Sequence, residues 1–274
     1  MRELTPRLRL ILYLFAALAL IAGVMLFAGA TRTEDYFSWT IEPPLTAATL
    51  GAFYWAALVL LVAAARAGTW EEARPATYPV TLIAVLLLIV TLIHLDRFDL
   101  DSLFGWFWLV AYCLIPPVML WAIVDQLRPP TRDAEAANDE TEERRTLPWL
   151  LPSALAIEGV VMLAAGALML VAPETAADLW PWALTPLTSR AIGAFVLGIG
   201  AAALIAVRDD DLMLFRGAAY AYAALGALQL LAVLLHEPDL GEDDLATGIY
   251  VTFLAAIAAT GLYGSIAASA SSRS

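Results

Sequence analysis

Residues 44–53 read PLTAATLGAF, and residues 186–195 read PLTSRAIGAF. The two stretches share Pro-Leu-Thr at their start and Gly-Ala-Phe at their end, at an offset of 142 residues (186 minus 44). Kept without a gap, the same offset relates five further pairs: Arg66 and Arg208, Arg74 and Arg216, Tyr78 and Tyr220, His94 and His236, Asp101 and Asp243. Self-similarity at a fixed period is the signature of a repeat. The sequence therefore predicts a duplication in which the two histidines are one position seen twice.

The composition is that of a membrane protein. Of the 274 residues, 61% are hydrophobic and 15% are charged, which is far from the balance of a globular domain. A membrane-spanning helix needs about 20 apolar residues. Eight apolar runs reach this length, at 9–30, 45–66, 76–95, 103–125, 148–172, 187–207, 214–236 and 246–268. We therefore expect an all-α, polytopic membrane protein with eight transmembrane helices.

Four spans fall in each half, and an even number gives both halves the same orientation in the membrane. This is a parallel repeat of two four-helix units. The predicted units are residues 1–127 and 148–274, joined by a polar linker at 128–147. In the repeated stretch, Gly51 and Gly193 are expected to let a neighbouring helix approach closely, as small residues do in membranes.

The basic residues predict the orientation. All 15 are arginines. With the N-terminus inside, twelve lie at the inner face, and only Arg32, Arg97 and Arg190 lie at the outer face. Because cytoplasmic loops carry the excess of basic residues, both termini and the linker are expected in the cytoplasm. The predicted location is a bacterial or archaeal cytoplasmic membrane, with the lipid bilayer as the main partner.

The same assignment makes the outer face acidic. It carries 13 carboxylates against three arginines, whereas the inner face carries 13 against twelve. An acidic rim attracts cations and repels polyanions. The rim thus indicates either a cation site at the outer side or simply a solvated face adapted to a salty exterior, and it predicts that nucleic acid is not a partner.

The two histidines are candidate ligands at that side. His94 is followed by Asp96, and His236 is followed by Asp239. If the spans before them face a common axis, two imidazoles and these carboxylates would suit a divalent metal ion. Two imidazoles would also suit the axial positions of a haem. A third interpretation, that each histidine is simply an interfacial polar residue, stays open.

Glu158 is the carboxylate nearest the middle of a span. A charge at that depth is expensive, so it should face protein and have a partner. Arg190, one turn inside the sixth span, is the favoured partner, and the two form a further candidate ligand-binding pair. Left unpaired, Glu158 would instead be a neutral hydrogen-bond donor.

Several classes of enzyme lack their usual residues here. The chain contains no phosphate loop, no Gly-rich dinucleotide turn, no nucleophile elbow and no lysine for Schiff-base chemistry. A non-enzymatic role is therefore favoured, and an intramembrane enzyme built from Glu158, Tyr112 and the two histidines stays open.

Two stretches carry a family resemblance. Residues 39–46, WTIEPPLT, and residues 94–98, HLDRF, resemble those of uncharacterised multi-pass membrane proteins of high-GC bacteria, which implies a membrane location and no particular activity. The four-span unit with its Gly-Ala-Phe motif is also similar to DoxX-like four-helix membrane modules.

Three functions follow from these patterns. The first is binding or transport of a cation or small molecule at an outer-side site around His94 and His236. The second is a redox membrane subunit that holds haem or meets quinone. The third is an accessory protein of a larger complex, built as a homo-oligomer or with a membrane partner protein.

Overall fold

A computed structural model describes residues 2–128 and 145–271. The described residues are 83% helical and contain no strand. Eight of their helices are long and apolar enough to cross a membrane. We number them α1 (Pro6–Gly23, continued by the π-helical turn Val24–Ala28), α2 (Pro44–Arg66), α3 (Trp70–Ile93), α4 (Leu103–Leu127), α5 (Leu150–Val171), α6 (Pro186–Asp209), α7 (Leu212–Leu235) and α8 (Asp244–Ser271). They confirm the predicted helical class and fit an integral, multi-pass membrane protein.

Each predicted apolar run overlaps one of these helices, and the largest difference is at the start of α3. The run begins at residue 76, whereas the helix begins six residues earlier (76 minus 70), at Trp70. The Thr69 hydroxyl accepts the Glu72 amide at 3.4 Å, and Glu71 and Glu72 occupy the first turn. Hydroxyl caps and acidic residues stabilise helix starts. A capped, polar first turn therefore extends the helix beyond its apolar part.

Successive helices run in opposite directions, so the bundle has two distinct ends. We call the end with Arg66, Arg208 and the starts of α3 and α7 the arginine end. The opposite end, which holds His94 and His236, is the histidine end. Backbone hydrogen bonds between loops close each end, from Leu4 to Gly68 at the arginine end, and from Asp99 to Ser38 and Gly241 to Pro181 at the histidine end.

The two halves of the chain share one core. Within the halves, α1 packs on α2, α5 on α6, and α7 on α8; between them, α2 packs on α7 and α3 on α6. The Phe53 and Phe195 rings stack across the boundary, 5.2 Å apart and 8° from parallel. Two hydrogen bonds also cross it: Trp182 Nε1 donates to Thr46 Oγ1 at 2.8 Å, and Gln229 Nε2 donates to the Thr49 carbonyl at 3.2 Å.

The glycines of the repeated stretch lie at close helix contacts. A Cβ added at Gly51 would come within 2.5 Å of the Phe27 amide nitrogen, and one at Gly193 within 2.7 Å of the Met169 Cβ. These distances are shorter than any ordinary contact, so both positions require a residue without a side chain. The predicted packing role of the two glycines is confirmed.

Most of the predicted linker, 128–147, lies outside the described residues. Its last part contacts the junction of α6 and α7, where the Leu212 amide donates to the Arg145 carbonyl at 2.7 Å and the Leu147 amide donates to Asp210 Oδ1 at 3.1 Å. This part of the linker is therefore fixed against the arginine end.

Candidate functional site

The histidine end brings together two of the predicted site residues, His94 and Arg190. His94 caps the C-terminus of α3, and Arg190 lies in the second turn of α6. The Arg190 guanidinium donates from Nη1 to His94 Nε2 at 2.8 Å and from Nε to the Leu170 carbonyl at 3.1 Å. The contact joins α3, α5 and α6, so it fastens one half of the chain to the other.

This contact sets the protonation of the imidazole. An Nε2 that accepts from Arg190 carries no proton, so the neutral ring holds its proton on Nδ1. Partial burial and the Arg190 charge lower the pKa of His94 below its ordinary 6.5, and Asp96 opposes them in part. His94 is therefore a neutral hydrogen-bond acceptor at neutral pH.

The other residues proposed as metal ligands have separate partners. Asp239 Oδ2 accepts the Leu45 amide at 2.8 Å, at the start of α2, and Asp96 pairs with Arg97 at 3.3 Å. No group of three or more histidine, cysteine, aspartate or glutamate side chains that could hold a metal ion occurs within 2–128 and 145–271. For a metal or a haem iron, the His94 Nε2 lone pair would first have to leave Arg190.

Glu158 and Arg190 do not form the ion pair that we expected. Glu158 Oε1 accepts the Thr260 hydroxyl at 2.8 Å, whereas Arg190 contacts Leu170, twelve residues further along α5 (170 minus 158). At 1.5 Å per residue, this separates the two by about 18 Å along the helix axis. The expectation was wrong because α5 and α6 run in opposite directions, so Glu158 lies nearer the arginine end and Arg190 nearer the histidine end.

A cavity at the arginine end was not predicted from the sequence. It encloses about 920 Å³ between the last turns of α2 and the first turns of α3 and α7. Its depth is apolar, with Val59, Val62 and Leu214 in the wall. The volume lies within the range of about 300 to 1,000 Å³ that is typical of small-molecule sites.

The cavity carries charged side chains of both signs, but its two acids already have hydrogen-bond donors. Glu72 Oε2 accepts the Gly68 amide at 3.0 Å, and Asp211 Oδ1 accepts the Met213 amide at 2.9 Å. Of its three arginines, Arg145 donates to the Ser271 carbonyl. Arg66 and Arg216 form no ion pair within the described ranges. Two guanidinium groups therefore remain available to an anion.

At the corresponding contact, between α3 and α6, the arginine has an ion-pair partner. There Arg74 pairs with Asp209 at 3.1 Å, and the Asp209 side chain is only 8% exposed. Arg216 follows Arg74 by 142 residues, but the residue 142 before Asp209 is Ala67. The boundary between α3 and α6 thus contains an arginine paired with a carboxylate. At the boundary between α2 and α7, Arg216 and Ala67 both line the open cavity.

The sequence contained a signal for this cavity. We interpreted the repeated arginines only as determinants of topology. At the 142-residue offset, Ala67 is equivalent to Asp209, and Leu214 is equivalent to Glu72. These two acids are therefore not repeated in the other half. Such unmatched charges mark where the two boundaries differ.

Comparison of the chain with protein-family models, curated proteins and solved structures finds no match.

Proposed function

We propose that this chain consists of two fused four-helix repeat units, residues 1–127 and 148–274, in one orientation. The helix bounds support this arrangement, because the second members of the pairs α2/α6 and α3/α7 each begin 142 residues after the first. The stacked rings of Phe53 and Phe195 give further support. They are equivalent positions of the repeat, and equivalent residues touch each other only near a twofold axis.

The arginine end faces the cytoplasm in this proposal, as the positive-inside rule predicts. The cavity then opens to the cytoplasmic side. A green-fluorescent-protein fusion at the C-terminus should fluoresce in cells. An active alkaline-phosphatase fusion at the same point, which needs export, would overturn the orientation.

The function that the geometry supports best is binding of an amphipathic organic anion in the cavity. The observation that carries it is that Arg66 and Arg216 line the cavity beside apolar side chains and form no ion pair within the described ranges. Guanidinium groups bind carboxylate and phosphate through two parallel hydrogen bonds. The apolar depth suits an alkyl chain. The outer-side histidine site ranks below this one, because His94 Nε2 already accepts a hydrogen bond from Arg190 of the other half.

Binding should be measured on protein in a non-ionic detergent with two anionic probes. Octanoate represents a soluble amphipathic acid, and phosphatidylglycerol represents a lipid head group of the same charge; octanol and phosphatidylcholine are their uncharged and zwitterionic controls. We expect one or both anions to bind in preference to the controls. Arg66→Gln and Arg216→Gln should each weaken binding about tenfold, as expected for one lost hydrogen bond to a charged group.

Arg208→Gln is the matched control, because Arg208 is the equivalent of Arg66 but does not line the cavity. It should leave the affinity unchanged. Preference for octanoate identifies a soluble ligand, and preference for phosphatidylglycerol identifies a lipid. Equal binding of anions and controls, or equal loss in Arg208→Gln, would overturn the proposed function.

A further inference from the structure

A second polar group of side chains lies in the interior of the second half, away from the cavity. Glu158 of α5, Tyr222 of α7 and Thr260 of α8 are 5%, 4% and 7% exposed. The Thr260 hydroxyl donates to Glu158 Oε1 at 2.8 Å. Glu158 Oε2 and the Tyr222 hydroxyl have no hydrogen-bond partner in the described chain, and the carboxyl group lies close enough to act on Tyr222 electrostatically.

Packing alone does not call for these polar groups. The equivalent residues of the first half, 142 positions earlier, are Ala16, Val80 and Val118. Ala16 and Val80 are buried, so an apolar set fills the same place in the other unit. Buried polar atoms without hydrogen-bond partners destabilise the folded protein. A carboxyl and a phenol kept in this state point to something that they bind.

The surroundings limit what that ligand can be. The Thr260 hydroxyl of α8 donates to Glu158, and Tyr222 of α7 lies within electrostatic range of the carboxyl group. On α6, Ala203 and Leu204 pack against Gly159, the next residue of α5. Within the described ranges Glu158 forms no ion pair with an arginine or histidine, and three oxygen-bearing side chains are too few to replace the hydration shell of a metal cation. A proton needs no such shell.

We propose that Glu158, Thr260 and Tyr222 form a proton-binding site in the core of the second unit. The proton binds at Oε2, the carboxyl oxygen without a partner, while Oε1 keeps the Thr260 hydroxyl. Release of the proton returns it to water and leaves the carboxylate on Thr260. A buried carboxyl that alternates between these forms gives the protein a charge that depends on pH at one defined depth. The site does not depend on an anion binding in the cavity.

Tyr222 also borders the boundary between the halves. Its ring lines a small apolar pocket there, beside Phe53 and Phe195. Ala218, one helical turn before Tyr222, lies in the wall of this pocket and of the arginine-end cavity.

Dicyclohexylcarbodiimide tests the proposal directly, because it adds to protonated carboxyl groups in apolar surroundings. Intact-mass and peptide analysis of the full-length protein should find one adduct at Glu158, absent from Glu158→Gln. Labelling should fall with rising pH, by about tenfold per unit once the carboxyl ionises. Thr260→Val should raise the labelling that remains at high pH, because the carboxylate loses its only donor.

Two comparisons separate a titrating site from a structural one. Asp209, which forms an ion pair with Arg74, is the internal control and should stay unlabelled. The triple variant Glu158→Ala, Tyr222→Val, Thr260→Val copies the first unit and should fold with unchanged helix content. Labelling of Glu158 that does not depend on pH overturns the proposal. The proposal is also overturned if the triple variant unfolds while Glu158→Gln differs from the unchanged protein only in the loss of the adduct.

Infrared spectroscopy covers the case in which the reagent cannot reach the site. A carboxylic-acid band that is lost in Glu158→Gln, and that converts to carboxylate as the pH rises, supports a proton-binding site. Absence of a titrating band together with absence of labelling overturns it.

Discussion

His94 accepts a hydrogen bond across the boundary between the two halves, from the Arg190 guanidinium. The equivalent histidine, His236, has no such neighbour, because the residue 142 before Arg190 is Ala48. At that second boundary Asp239 instead receives the Leu45 amide at the start of α2. Thr46 and Thr49 of α2 also accept hydrogen bonds from Trp182 and Gln229. The two boundaries at the histidine end are thus held by different polar contacts.

The His94 contact predicts a pH dependence. Burial first and Arg190 second lower the pKa of His94, so its contribution to stability is complete above the unfolded value of 6.5 and is lost as the pH falls through the lowered folded value. In Arg190→Gln the pKa should rise toward 6.5, and acid should destabilise the protein less. Histidine NMR titration, assigned with His94→Gln, measures the pKa, and thermal unfolding against pH measures the stability. An identical His94 titration in Arg190→Gln would contradict this account.

Residue types were easier to predict than their partners. The sequence identifies Glu158 as an intramembrane carboxylate, because an acidic residue within an apolar run is visible from composition alone and a charge at that depth is costly in free energy. It did not identify Thr260, since a single hydroxyl donor in an apolar helix leaves no pattern. The prediction that Glu158 pairs with Arg190 was wrong. The direction of the two helices already implied that the two residues lie at different depths. Glu158 is the ninth residue of α5 and Arg190 the fifth of α6, and the two helices run in opposite directions.

At the scale of helices, close approach through glycine organises the second half. A Cβ at Gly166 of α5 would lie 2.6 Å from the Leu197 amide nitrogen and 2.8 Å from the Gly193 carbonyl oxygen, both of α6. Backbone atoms cannot rotate away as side chains do. The two helices therefore depend on the missing methyl group for their contact.

Gly166→Ala should accordingly lower the thermal stability of the detergent-solubilised protein. The expected loss is about 1 to 3 kcal/mol, the usual cost of overpacking a tight contact. Gly248→Ala in α8 is the control, because a Cβ there meets no atom within 4 Å, and alanine is the better helix former by up to about 1 kcal/mol. Two variants of equal stability would show that α5 and α6 do not need the close contact.

At the scale of the whole molecule, the fold was predictable and the cavity was not. Eight apolar runs and the alternation of helix direction follow from the thickness of the membrane. The cavity lies where the two halves of the chain meet, and Ala67 stands there at the position that Asp209 takes in the boundary with Arg74. A search for residues that are identical in the two halves does not find a site that depends on residues that differ between them.

We infer that the absence of a carboxylate at Ala67 leaves Arg216 available to an anion. The most direct measurement is the affinity for octanoate, by isothermal titration calorimetry, of Ala67→Asp beside the unchanged protein. The added carboxylate stands at the position equivalent to Asp209, where that residue pairs with Arg74. We predict that Ala67→Asp weakens binding at least as much as Arg216→Gln, about tenfold or more, while the helix content stays the same. Unchanged affinity in Ala67→Asp would contradict the account.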